Sequence, residues 1–383
     1  MRIVYTGAPY SGPHIVGVDS MALFRLSGRN SGNLLIGTAI MRQLKISHIV
    51  DFNTPPEAAE KDCNHIVIGA ANFLYPGFDF SYIADYLEKC RLPCTIIGLG
   101  AQAPQYGTVP DIPAGTRRML DIISERSASL GVRGHNTAFV LEKMGIKNVT
   151  VTGCPSFYMS LSPTAVVKSK LPFKEARLAF NGSRDVIRHS SSPDEMRAIE
   201  HMIMSYAFFC DSTYILQTEI PELQIACKEG LSETDIRELK LFYPFASDSW
   251  KAFYEFLEKR LKVFFDYEKW SEEIRTHDFV MGSRIHGNLI AIINGIPAAV
   301  IAHDTRTREM CELLAIPHVV VGQMQPFSVE AVYEKATYDV FRLRYNTLFH
   351  NYREFLDANK LEHNLIWKPD LGPMGSLGAT ESQ

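Results

Sequence analysis

The chain has 383 residues, 46% hydrophobic and 21% charged, an ordinary globular balance on more length than one core usually fills, so two domains are expected. A formal net charge of −4 excludes an overall basic field for nucleic acid or an anionic membrane, leaving any anion to be held by local groups. Seven scattered cysteines lack paired zinc-site spacing, and neither a cleavable leader nor an apolar run near the ~20 residues of a membrane span is visible, so a reduced, cytoplasmic protein without a metal site is expected.

Ten short runs rich in β-branched residues read as strands: RIVYT, HIVDF, HIVIGA, CTIIGLG and NVTVTG, then RLAFNG, TYILQT, DFVMGS, AAVIAHD and HVVVG. Apolar residues at helical spacing fill the intervals, from GNLLIGTAIMRQL and SYIADYLEKC through NTAFVLEKMG to HGNLIAIIN and TREMCELLA. This alternation predicts the α/β class, with parallel sheets covered on both faces in two doubly wound units. Between the two sets, the polar segment Ser162 to Glu175 carries two prolines. It sets a boundary near Ser169, with domains over 1–168 and 169–340.

A long helix is expected after FASDSW, capped by Ser247 or Asp248, with Phe253, Phe256, Leu257, Leu261 and Phe264 along one stripe. A C-terminal helix is expected over 341–368, packing back across the first domain. The small, polar end of the chain, 369–383, is expected to be disordered.

Ligands of open parallel sheets bind beyond the carboxyl ends of the strands, and the chemistry-bearing residues fall there. The turn Asn30, Ser31, Gly32, Asn33 precedes an apolar helix and serves either as a ligand contact or as a cap. Gly100 and Gln102 follow CTIIGLG, where backbone approaches a ligand closely or simply turns. Arg133 points into a cleft or pairs with Glu142, and Cys154 reads as buried rather than as an activated nucleophile. Arg184, Gln217 and Glu219 rank lowest.

The strongest block is GSRIHGNLIAIINGIP, with Ser283, Arg284, His286 and Gly287 on a strand-to-helix loop. Arginine offers a planar fork for phosphate or carboxylate, and histidine moves a proton near neutral pH. An anion site with an acid beside it is one reading; an ion-paired arginine and a hydrogen-bonded histidine are the other. At the next strand end, His303 is the better site candidate. Asp304 or Thr305 is expected to cap TREMCELLA, and Arg306 either lines the cleft or is solvated.

GSRIHGNLIAIINGIPAAVIAHD resembles the C-terminal signature of the polysaccharide pyruvyl transferase family, in which a Ser-Arg-Leu-His core precedes a helix and a Gly-x-Pro step. NSGNLLIGTAI resembles that family's Asn-x-Gly-Asp motif, and LGVRGHNTAFVLEKMGIKNVTVTGCPSF its central segment. Asn33 and Cys154 stand where the family usually has aspartate; Arg133, Arg284 and His286 match. The resemblance implies a fold similar to GT-B glycosyltransferases, two Rossmann-like domains facing a cleft. It also implies phosphoenolpyruvate as donor substrate, no cofactor, and a pyruvate ketal bridging two hydroxyls of a sugar or lipid-linked oligosaccharide acceptor. His286 and Arg284 would be catalytic; Arg133, Arg284, Ser283, Gly287 and His303 would hold the donor. Asn30, Ser31, Gly32, Asn33, Gly100 and Gln102 would contact the acceptor or the cleft. Peripheral placement at the inner face of a membrane stays open. The alternatives are a nucleotide-sugar glycosyltransferase of the same architecture and a non-catalytic carbohydrate-binding relative.

Overall fold

The computed structural model describes residues 2–103, 105–323 and 326–366, so the tail expected over 369–383 lies outside the described residues. Two six-stranded, wholly parallel sheets carry the chain. The first comprises β1 (Ile3–Gly7), β2 (Ile46–Ile49), β3 (His65–Gly69), β4 (Cys94–Leu99), β5 (Leu130–Val132) and β6 (Val149–Val151), in the spatial order β2-β1-β3-β4-β5-β6. The second comprises β7 (Leu178–Asn181), β8 (Thr213–Ile215), β9 (Leu261–Lys262), β10 (Phe279–Gly282), β11 (Ala298–Ala302) and β12 (His318–Val320). Its spatial order is β9-β8-β7-β10-β11-β12.

Both orders reverse direction once, between β1 and β3 and between β7 and β10. Such a reversal splays the following loops apart and leaves a crevice at the carboxyl ends. Both sheets are doubly wound, and their central strands are buried along their length, as near-continuous Val, Ile and Ala runs require. At β10 the packing is tight enough that a Cβ on Gly282 would overlap the backbone of Asn181 at the end of β7. Glycine is required there by space alone.

Nine of the ten expected strand runs coincide with a strand, and HIVDF is displaced so that β2 ends at Ile49. β5 and β9 were not expected; three and two residues are too short to show a period of two. The helix expected after FASDSW is interrupted. A 3-10 segment covers Pro244–Ser249, the α-helix runs only from Trp250–Arg260, and Ser249 rather than Ser247 or Asp248 occupies the N-cap. Phe253, Phe256 and Leu257 form its buried stripe, whereas Leu261 belongs to β9 and Phe264 lies beyond it.

The C-terminal helix spans Asp339–Ala358 instead of 341–368. Its Phe341, Tyr345, Phe349, Tyr352 and Phe355 join an apolar cluster that includes Ile3 and Tyr5 of the first sheet and Val280, Leu289 and Val300 of the second half. Tyr352 Oη donates to Gln43 Oε1 at 2.8 Å, and Gln43 Nε2 donates to the Pro155 carbonyl at 2.7 Å. These bonds fasten the C-terminal helix to the first half, and the shared apolar cluster joins the two halves. Among the described residues, no helix is long and apolar enough to cross a membrane.

Candidate active site

The carboxyl ends of the two sheets face a cleft of about 900 Å³. The arginine-histidine block reaches it because β10 ends at Gly282 and the helix Ile285–Ile293 begins almost at once, with Arg284 as its N-cap. His286, expected on the loop, thus stands in the first turn of a helix that begins at Ile285, where the positive end of the helix favours an anion. The Arg284 backbone N–H donates to Asn181 Oδ1 at 3.0 Å, joining both strands that flank the reversal.

Burial of Arg284 is nearly complete, at 8% exposure, yet its guanidinium makes no hydrogen bond or ion pair among the described residues. Arg184 offers the contrast. It bonds Glu222 at 2.8 Å and Glu238 at 2.6 Å and lies over the Phe242 ring, so its charge is already satisfied. A buried, unpaired guanidinium is unstable unless something anionic meets it. The ion-paired alternative for Arg284 is not realised.

Arg133 follows β5 and is also buried. Nε donates to the Gly98 carbonyl at 2.7 Å and Nη2 to the Ala70 carbonyl at 3.2 Å, at the ends of β4 and β3, and not to Glu142. These bonds aim the side chain into the cleft while leaving its charge uncompensated. Arg306 lines the cleft too, with Nη2 3.3 Å from Asp304 and Nε without a partner.

His286 is held well below the ordinary imidazole range, first by burial and then by the charges of Arg133, Arg306 and Arg284. Its Nε2 lies 3.7 Å from Cys154 Sγ, where a carboxylate would have pulled it upward. His303 is lowered to about 4 by burial, against the opposing pull of Asp304 at 3.6 Å. Burial pushes Asp304 upward, but Arg306, His303 and the Thr307 N–H outweigh it and keep the carboxylate ionised. Asp304 caps the helix Thr305–Leu314 and accepts from Gln102 Nε2 at 3.1 Å across the two halves.

Of the expected residues, Arg284, His286, Ser283, Arg133, His303, Gln102, Asn30 and Asn33 line this one cleft. The other four stand behind its wall. Gly287 packs on Asn181 and Gln217, leaving no room for a Cβ, and Gly100 packs closely, though less tightly, on Arg133. Gly32 lies against Gln217 and His286, while Ser31 is buried, with its N–H donating to the Gln217 carbonyl at 3.2 Å. Ser283 donates to Glu200, a buried carboxyl raised to about 8 chiefly by burial, while Glu219 and Asp185 also line the cleft and act favourably on Arg284.

The aromatic loop Phe73, Tyr75, Phe78, Phe80 and Tyr82, which forms part of the first half's wall, was missed. Its signal was present as FLYPGFDFSY, five aromatic residues around a Pro-Gly turn just after a strand.

Two Rossmann-like domains facing a cleft that gathers Arg133, Arg284 and Arg306 where the sheets reverse define a GT-B-like protein. The family model for polysaccharide pyruvyl transferase matches residues 24–305, most of the chain, and the protein belongs to that family. No curated protein sequence matches it. Similar solved structures include a UDP-N-acetylglucosamine 2-epimerase from Rickettsia bellii, with 10% identity over 94% of this chain and 96% of that one, at a TM-score of 0.47. The S. aureus MnaA–UDP co-structure has 12% identity over 94% and 92%, at 0.44. Anabaena HepE in complex with UDP-glucose has 11% identity over 94% and 95%, at 0.43.

Proposed function

We propose that the protein transfers pyruvate from phosphoenolpyruvate to a sugar of a polysaccharide or its precursor, closing a ketal and releasing phosphate. The unpaired Arg284 guanidinium, buried at a helix N-terminus beside His286, carries this reading. A donor bearing both carboxylate and phosphate suits several fixed cations, because each forked pair satisfies one anion. Arg133 and Arg306 supply the remaining charge, and the first-turn amides of the helix Ile285–Ile293 add donors.

In this mechanism His286 protonates the donor methylene, leaving an oxocarbenium-like C2 that one sugar hydroxyl attacks. Phosphate then leaves, its charge stabilised by the arginines, and a second hydroxyl adds to C2. Two hydroxyl protons are released: one restores His286, the other departs with phosphate. General acid help of this kind contributes roughly 10²- to 10⁴-fold.

His286 is neutral in the free protein, so it must gain its proton when the donor binds. Burial is the first cause of its low pKa; an anion among Arg133, Arg284 and Arg306 offsets the second, the arginine charges, and so favours the protonated form. Calorimetry of phosphoenolpyruvate binding to wild type and Arg284→Ala tests the reading without knowledge of the acceptor. Binding by wild type and its loss in the variant are expected. Preference for UDP- or GDP-sugars over phosphoenolpyruvate would overturn it in favour of glycosyl transfer.

A further inference from the structure

One stretch of the cleft wall carries a different chemistry. Between β3 and the helix Ser81–Lys89, the chain sets Phe73 and Phe80 in a stack, with centroids 4.1 Å apart and planes at 22°. Phe78 leans on Phe80 at 4.8 Å and meets Tyr82 edge-on at 6.3 Å. Phe80 is buried, but Phe78 is 50% exposed and Tyr82 42%. Scattered single apolar residues on a surface need no explanation, whereas a contiguous aromatic patch within a polar cleft does.

The loop is fixed in place. Leu74 donates to the Gly100 carbonyl at 3.1 Å and Gln102 donates back to Leu74 at 3.0 Å, continuing the β3–β4 pairing, and the Phe80 N–H donates to Thr116 Oγ1 at 3.0 Å. Beside the rings, the Asn72 amide donates to Gln102, and both residues line the cleft. Asn72 Oδ1 has no partner.

We infer that Phe78 and Tyr82 form the acceptor subsite, a platform on which one pyranose ring of the glycan stacks, with the Asn72–Gln102 amide pair beside it to bond ring hydroxyls. The axial C–H face of a pyranose is weakly positive and apolar, which matches the negative face of an aromatic ring, while its edge is lined by hydroxyls. Half-exposed aromatics next to fixed amides meet both requirements, as specific pockets combine apolar area with a few placed polar groups. A free phosphate or carboxylate gains nothing from aromatic ring faces, so Phe78 and Tyr82 suit the acceptor and not the donor. The inference rests on the proposed function only in calling the sugar an acceptor; the binding itself stands independently.

The test uses the full chain on an array of oligosaccharides ending in galactose, glucose, mannose or N-acetylglucosamine, with and without phosphoenolpyruvate. Wild type, Phe78→Ala, Tyr82→Ala and Phe78→Trp are compared, with phosphoenolpyruvate and UDP calorimetry run on each. Loss of an anchoring aromatic from a binding surface weakens binding about tenfold or more. That loss is expected for glycans in both alanine variants, with retention in Phe78→Trp and unchanged phosphoenolpyruvate affinity. Three results overturn the inference: unchanged glycan binding in both alanine variants, retention of no oligosaccharide by wild type under either condition, or a fall in UDP affinity in place of glycan affinity. Glycan binding that depends on Phe78 in a protein that ignores phosphoenolpyruvate would sustain the platform and reject the donor.

Discussion

Cys154 and Gly32 both act on His286, one by standing where a carboxylate could have stood and the other by volume it does not have. The thiol 3.7 Å from Nε2 leaves the imidazole without a carboxylate to stabilise its charged form, so burial and three arginines keep it neutral. In the proposed mechanism donor binding is expected to draw a proton onto His286, with affinity falling as pH rises through the bound-state pKa. Phosphoenolpyruvate titrations in buffers of different ionisation enthalpy are expected to show more proton uptake for wild type than for His286→Gln. Equal uptake would remove His286 from the role of acid. At Gly32, an added Cβ would overlap Gln217 Oε1 and press on His286 Cβ at 3.0 Å. Gly32→Ala is expected to lose about 1–3 kcal/mol in urea unfolding through overpacking. These contacts explain what could be read from the residues and what could not. Arg284 and His286 announce themselves by type and spacing, but that Arg284 is unpaired while Arg184 is paired depends on Glu222 and Glu238, distant in sequence.

Short elements carry the junction between the halves. Glu309, on the helix Thr305–Leu314, accepts from the Thr137 N–H at 3.0 Å and from Thr137 Oγ1 at 2.6 Å, capping the helix His135–Lys143 of the other half. Gly134 is required beside it, since a Cβ there would press on the Glu309 carboxyl. Removing the acceptor strands a buried N–H and hydroxyl, and a buried donor left unsatisfied costs about 1–3 kcal/mol. Glu309→Ala is expected to lower thermal stability accordingly, and scanning calorimetry that shows no change would mean the junction is held by apolar packing alone. The sequence marked the helix Thr305–Leu314 and its Asp304 cap, because capping is local. It gave no sign of the cross-domain cap, nor of β5 and β9, whose pairing is set entirely by neighbouring strands.

Across the whole molecule, buried acids make stability depend on pH. Glu200 is raised to about 8 and Glu309 to about 7, both chiefly by burial, from an ordinary value of 4.5. The folded state therefore holds their protons more tightly than the unfolded chain, and this contribution is complete below about pH 4.5 and is lost as pH rises toward 7 to 8. Between pH 7 and 9, above the range in which the buried His286 and His303 contribute the opposite slope, melting temperatures are expected to fall with pH in wild type and to fall less in Glu200→Gln, whose amide still accepts from Ser283. Parallel slopes would mean Glu200 is ionised throughout.

The sequence by itself determined the alternating α/β elements, the two doubly wound sets and the family block around Arg284 and His286, because strand and helix periodicity and strand-to-helix loops are local properties. Only the tertiary structure decided that Arg133, Arg284 and Arg306 converge, that Gly287 and Gly100 pack behind the wall instead of lining it, and that FLYPGFDFSY faces the same cleft. Those outcomes depend on which strands become neighbours at the two sheet reversals, and strand order is set by the joint burial of the cores, which no single stretch of sequence contains.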